Sequence, residues 1–192
     1  MKRAILMLLT GGLMLSVPVQ ADDVTDQIDE ALSAYERKDL STTLTALDTA
    51  SALVRQAKAE QLSDLLPAPL SGWNAEEAES GFAGSAVMGG GINAERRYFK
   101  DDAEITISVA SNSPMIQAMA MVFSNPMFGG AGQKIKIIDG RKVIAEEQSL
   151  QTVLGGAVLV SVQGHEASQQ DLKAYFKAID FEGIEKAAGL RN

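Results

Sequence analysis

Lys134-Ile135-Lys136-Ile137-Ile138 and Arg141-Lys142-Val143-Ile144-Ala145 are two strand-like runs separated only by Asp139-Gly140. Asp-Gly takes positive φ at both positions at low cost, and a two-residue turn of that kind joins neighbouring antiparallel strands. The same logic recurs along the chain. From Ala103 to Val109 the residues alternate, so Ile105, Ile107 and Val109 share one face. The run from Asn93 to Phe99 can pair with it through Lys100-Asp101-Asp102. Leu150 to Val162 forms a third candidate hairpin around Gly155-Gly156, with Val158, Val160 and Val162 facing inward. Strands joined by such short turns predict an antiparallel sheet.

Two helices punctuate these strands. Pro114 to Phe123 is short and apolar behind a Ser113 cap. Ser168 to Ile179 opens with Ser168-x-x-Asp171, a variant of the capping box, and its Leu172, Tyr175, Phe176 and Ile179 make a buried stripe. Residues 22–66 contain neither Gly nor Pro and repeat apolar residues at helical spacing. Val24, Ile28, Ala31, Leu32 and Tyr35 mark one helix; Leu44, Leu47, Ala50, Leu53, Val54, Ala57 and Leu62 mark another. Lys38-Asp39-Leu40-Ser41 separates them, with Asp39 or Ser41 as the cap of the second. The spacing of Ala31, Leu40, Leu44, Leu47 and Ala50 is similar to one tetratricopeptide unit, but a single unit cannot bury its own face and no second copy is visible. Either the pair docks on the rest of the protein or its stripe is exposed and docks a partner. Pro67-Ala68-Pro69 then marks a boundary. The expected fold is α+β: an N-terminal antiparallel helical hairpin (22–66), then a domain (67–192) with an antiparallel sheet of five to seven strands and helices packed on one face.

The first 21 residues read as a signal peptide. Lys2 and Arg3 precede an apolar run from Ala4 to Val17, Pro18 breaks it, and Val19-Gln20-Ala21 offers small residues where a signal peptidase reads. The run is shorter than the ~20 residues a membrane-spanning helix needs. Cleavage after Ala21 is expected, with a periplasmic address. No later stretch reaches membrane-spanning length. Cleavage removes two positive charges and no negative one, taking the formal charge from −8 to −10. That balance excludes the basic face of a nucleic-acid binder. The chain has no Cys and a single His, which excludes disulfides, thiol catalysis, zinc knuckles and any multi-histidine site. An exported domain of this kind is held by packing alone.

Candidate sites are few. Met115, Met119, Met121 and Met127 cluster within one segment, interleaved with Ile116, Val122 and Phe123. Thioethers fill cores, line adaptable contact surfaces, or ligate Cu(I). Two apolar Gly-rich stretches, from Phe82 to Gly91 and from Met127 to Gly132, lack the lysine-ending spacing of a phosphate loop. They offer Met88, Met127 and Phe128 to an apolar ligand or an envelope protein. His165 stands in a loop-like Gly164-His165-Glu166, and no Ser sits in a Gly-x-Ser-x-Gly elbow. The acid pairs Glu76-Glu77, Asp101-Asp102 and Glu146-Glu147 read as solvated turns, so a carboxylate-dependent hydrolase is the weaker alternative. Alternation sends Arg96 and Tyr98 to one face and Arg97 to the other. The function expected is a non-catalytic periplasmic binding protein without a cofactor or metal, its binding residues Met88, Met115, Met119, Met121, Met127 and Phe128; the alternative is a Cu(I) binder using the clustered Met.

Leu66-Pro67, Gly72-Trp73, Gly89-Gly90-Gly91, Arg96-Arg97-Tyr98, Ser113-Pro114-Met115 and Phe123-Ser124-Asn125-Pro126 together resemble a group of exported proteins of Gram-negative bacteria without an assigned activity, over roughly residues 62–182. The resemblance implies a periplasmic address and an α+β domain, and carries no catalytic residues across. The layout is also similar to small PsbP/Mog1-type α+β domains, which act as accessory binding modules.

Overall fold

A computed structural model describes residues 22–81, 91–111, 116–117, 119–120 and 135–191. The fold is α+β. Helices α1 (Asp22–Glu36) and α2 (Leu40–Ser63) precede strands β1 (Asn74–Ala75), β2 (Glu79–Gly81), β3 (Ile92–Lys100), β4 (Ala103–Ser111), β5 (Ile135–Ile138), β6 (Arg141–Ala145), β7 (Ser149–Leu154) and β8 (Val158–His165). Helices α3 (Gln169–Ala178) and α4 (Phe181–Ala187) follow. Ile116-Gln117 and Met119-Ala120 are also helical. The chain divides into two compact units, one ending at Ala50 and the other beginning at Ser51.

In the first unit, α1 ends because Lys38 adopts φ 61°. The Asp39 amide then reaches the Ala34 carbonyl at 2.9 Å and the Lys38 amide reaches the Tyr35 carbonyl at 2.9 Å, which closes the helix in a Schellman turn. Asp39 at once starts α2. Its Oδ1 accepts from the Thr42 amide at 3.1 Å and its Oδ2 from the Thr42 hydroxyl at 2.7 Å. Those bonds, the hydroxyl's foremost, hold the Asp39 carboxyl below the usual carboxylate range.

The second unit is built on the antiparallel sheet. Its strand order is β1-β3-β4-β8-β7-β6-β5, and the short β2 also pairs with β3. The register puts directly opposed residues on one face, giving rows such as Arg96–Ile107–Val162–Leu150–Ala145 and Ala94–Val109–Val160–Thr152. Ile105, Ile107, Val109, Val158, Val160 and Val162 are all buried there, as their alternation requires. Helix α3 packs on β7 and β8 and supplies Leu172, Tyr175 and Phe176 to the same core. Ser168 caps it by accepting from the Asp171 amide at 3.1 Å. Ala59 and Leu62 from the end of α2, with Leu66, Trp73, Phe181 and Ile184, complete the cluster. The other face carries Ser108, Ser161 and Gln151 in one row, although Ile144 and Leu159 on it are buried as well.

The segment after α2 is pinned to the sheet rather than left as a free linker. Tyr98 donates its hydroxyl to the Pro67 carbonyl at 2.8 Å, and Arg96 Nη1 reaches the same carbonyl at 3.3 Å. The Leu70 amide donates to the Tyr175 hydroxyl at 3.3 Å. Trp73 stands edge-on to Tyr175, with ring centroids 5.2 Å apart.

Candidate functional site

Both N-terminal helices bury small side chains and expose large ones. On α1 the buried positions are Ala31 and Ala34; on the first half of α2 they are Thr43, Ala46 and Ala50. Ile28, Leu32 and Tyr35 on α1 are exposed, Leu32 at 57% and Tyr35 at 62%. Leu40, Leu44 and Leu47 on α2 are exposed too, Leu44 at 64%, as is Val54 further along that helix. Of the two readings the sequence leaves open for the helical pair, a docked stripe or an exposed one, these residues agree with the exposed one, whereas Ala31 and Ala50 are buried. In each helix the exposed residues fall at i, i+4 and i+7, so they make one continuous apolar stripe about a quarter turn from the buried alanines. Leaving each side chain half exposed forgoes on the order of 1 kcal/mol of burial. Scattered exposed leucines need no explanation, but here the exposed apolar residues are ordered at helical spacing on both helices.

The acidic side of α1 borders its stripe. Asp29 and Glu36, both exposed, lie three positions before and four after Leu32, within one helical turn. Arg37 reaches back to Glu30 at 3.3 Å.

A second place gathers charge and concavity. A cavity of about 290 Å³ lies beside the Asp139-Gly140 turn, lined by Arg141, Lys142, Thr152, Leu154, Gly155 and Glu185. Arg141, Glu185 and Thr152 are already engaged. Arg141 Nη1 meets Glu185 Oε1 at 2.9 Å, with its guanidinium 4.4 Å from the Phe181 ring centroid. Arg191 takes Glu185 Oε2 at 3.3 Å, and the Thr152 hydroxyl donates to the Lys142 carbonyl at 2.8 Å. Two arginines thus converge on one carboxylate, and the arrangement fastens α4 to the hairpin.

Of the expected binding residues, Met119 is partly buried, whereas Met88, Met115, Met121, Met127 and Phe128 lie outside the described residues. His165 is exposed at the end of β8, opposite Glu104 on β4. The three acid pairs are exposed as well. Arg97 leaves the core side and pairs with Glu76 at 3.2 Å and Glu79 at 3.6 Å, as alternation predicts. Burial raises the Tyr98 and Tyr175 phenols above their ordinary range. Their hydroxyls hold the segment at Pro67 and Leu70, which is a structural task. Among the described residues no cluster of three or more acids or histidines is placed to hold a metal ion, and no helix is long and apolar enough to cross a membrane. Compared with protein-family models, curated proteins and solved structures, the chain matches none.

Proposed function

We propose that this chain is an exported, periplasmic, non-catalytic protein whose N-terminal helices bind a protein partner. The observation that carries the reading is the pair of exposed apolar stripes, Ile28–Leu32–Tyr35 and Leu40–Leu44–Leu47, on helices that bury alanine instead. A core residue type held at the surface in helical register is what a helix-in-groove contact uses as anchors. The export half of the proposal is supported by Lys2-Arg3, the apolar run behind them and Val19-Gln20-Ala21.

The test places a photo-cross-linking amino acid at Leu32, at Leu44 and, as a control, at exposed Lys173 of α3, in cells expressing the full chain. Discrete adducts at the two stripe positions and none at Lys173 are expected. Adducts distributed equally over the three positions, or none at the stripe, would overturn the reading.

A further inference from the structure

Going round α1, the surface passes from buried alanine to exposed apolar side chains to acid. Asp22, Asp23, Asp26, Asp29, Glu30 and Glu36 all belong to this helix, which has no basic residue. Over residues 22–50 there are eight acids and two bases, Arg37 and Lys38, so the local charge is −6. Arg37 is partly spent on Glu30, 3.3 Å away. The apolar stripe of α1 therefore runs along the rim of a strongly negative field.

We infer that the occupant of this surface is a basic amphipathic helix of another protein. The inference rests on the docking surface proposed above and specifies its partner. Helix faces present side chains and no free backbone donors or acceptors, so strand addition has nothing to pair with here. A partner helix with apolar residues at the same spacing meets the stripes ridge into groove. Lysine or arginine flanking that spacing faces Asp29 and Glu36, which turns the rim from a cost into steering and register. A second copy of the chain is disfavoured by the same field, because it brings −6 against −6. An anionic lipid surface repels it likewise.

The test uses protein purified after expression of the full chain and two synthetic helical peptides of about five turns. One carries leucine and lysine at amphipathic spacing; the other carries leucine and glutamate in the same pattern. Titration should show saturable binding of the lysine peptide at one site per chain, weakened about tenfold or more by L32S/L44S and likewise by D29N/E36Q. Binding should also weaken on going to about 1 M salt, where screening acts within ~3 Å. The stripe and rim residues are exposed, and circular dichroism should show the variants folded as the parent. Equal affinity for the glutamate peptide, or affinity unchanged in D29N/E36Q, overturns the basic partner while leaving the stripe as a docking face. Affinity unchanged in L32S/L44S overturns the docking face itself. A concentration-dependent dimer that L32S/L44S dissolves overturns the inference in favour of a second copy.

Discussion

The Tyr98 hydroxyl donates to the Pro67 carbonyl at 2.8 Å, tying a central-sheet residue to the segment that leaves α2. Arg96 shares that carbonyl at 3.3 Å, so the acceptor keeps a partner if the phenol is lost. Tyr98→Phe should therefore cost only about 1 kcal/mol, seen as a lower urea midpoint at unchanged slope. Adding Arg96→Met strips the second donor and leaves the carbonyl unpaired. The double variant should lose more than the two single losses together. Simple additivity would show that the carbonyl is hydrated instead.

The same phenol makes stability depend on alkaline pH. Burial, ahead of every other influence, raises Tyr98 above its ordinary value of 10.0, and Tyr175 beside it is raised for the same reason. The folded state thus favours the neutral phenols. Their contribution is fully present below about pH 10 and is lost as the pH rises further. The urea midpoint should fall steeply above about pH 10 in the parent and less steeply in Tyr98→Phe. Equal slopes would remove Tyr98 as the cause.

Much of the sheet is legible in the sequence because turn chemistry is local. Asp139 and Gly140 have φ 49° and 73°, and Gly155 and Gly156 have 53° and 73°, the positive pairs that two-residue hairpins demand. Ile105, Ile107 and Val109 could be assigned to the core because strand alternation leaves them no other common face. β1 and β2 escaped because two and three residues carry no period. α4 escaped because a seven-residue helix with Gly183 inside it has little propensity of its own; Asp180 followed by Glu182 was the available signal. The stripes of α1 and α2 are legible as periodicity, but periodicity alone leaves both a docked and an exposed stripe open. Periodicity says which residues share a face, and only the tertiary partner decides whether Leu32 or Ala31 turns inward. The exposed stripes consist of ordinary Ile, Leu and Tyr, residue types that carry no mark of exposure in composition.

Gly183 is a case where local propensity gives the wrong sign. Replacing a helical Gly by Ala ordinarily gains up to ~1 kcal/mol. Here an added Cβ would stand 2.9 Å from Leu65 Cδ2 and would press on the Asp180 carboxylate, whose Oδ1 accepts from the Gly183 amide at 2.9 Å. Gly183→Ala should cost about 1–2 kcal/mol in the second unit, by overpacking and loss of the cap together. In an Asp180→Ala background the penalty should shrink, because the carboxylate is gone. A stabilised Gly183→Ala would refute the steric reading.

Lys38 makes the opposite prediction. At φ 61° its side chain occupies a left-handed position that ends α1, and Gly there escapes the strain of about 1 kcal/mol. Lys38→Gly should slow amide exchange at Thr42 and Thr43, the first turn of α2, by several-fold. Exchange is the right measurement because the corner belongs to the first unit and global unfolding of the sheet need not report it. Faster exchange would mean that the Lys38 side chain contributes more than its backbone costs.

Glu185 joins two arginines of unequal worth. Arg141 lies 2.9 Å away with 26% of its side chain exposed and stacks on Phe181, whereas Arg191, at 3.3 Å, is 56% exposed. Arg141→Ala uncovers the ring and leaves a carboxylate that is only 16% exposed with its weaker partner, so it should cost about 2 kcal/mol. Arg191→Ala should cost under about 0.5 kcal/mol and vanish at high salt. Arg141→Lys restores the charge but neither the planar fork nor the stacking, and should recover less than half of the Arg141→Ala loss. If Lys restores full stability, the contact is simple charge pairing and the fastening of α4 to the hairpin depends on Coulomb attraction alone.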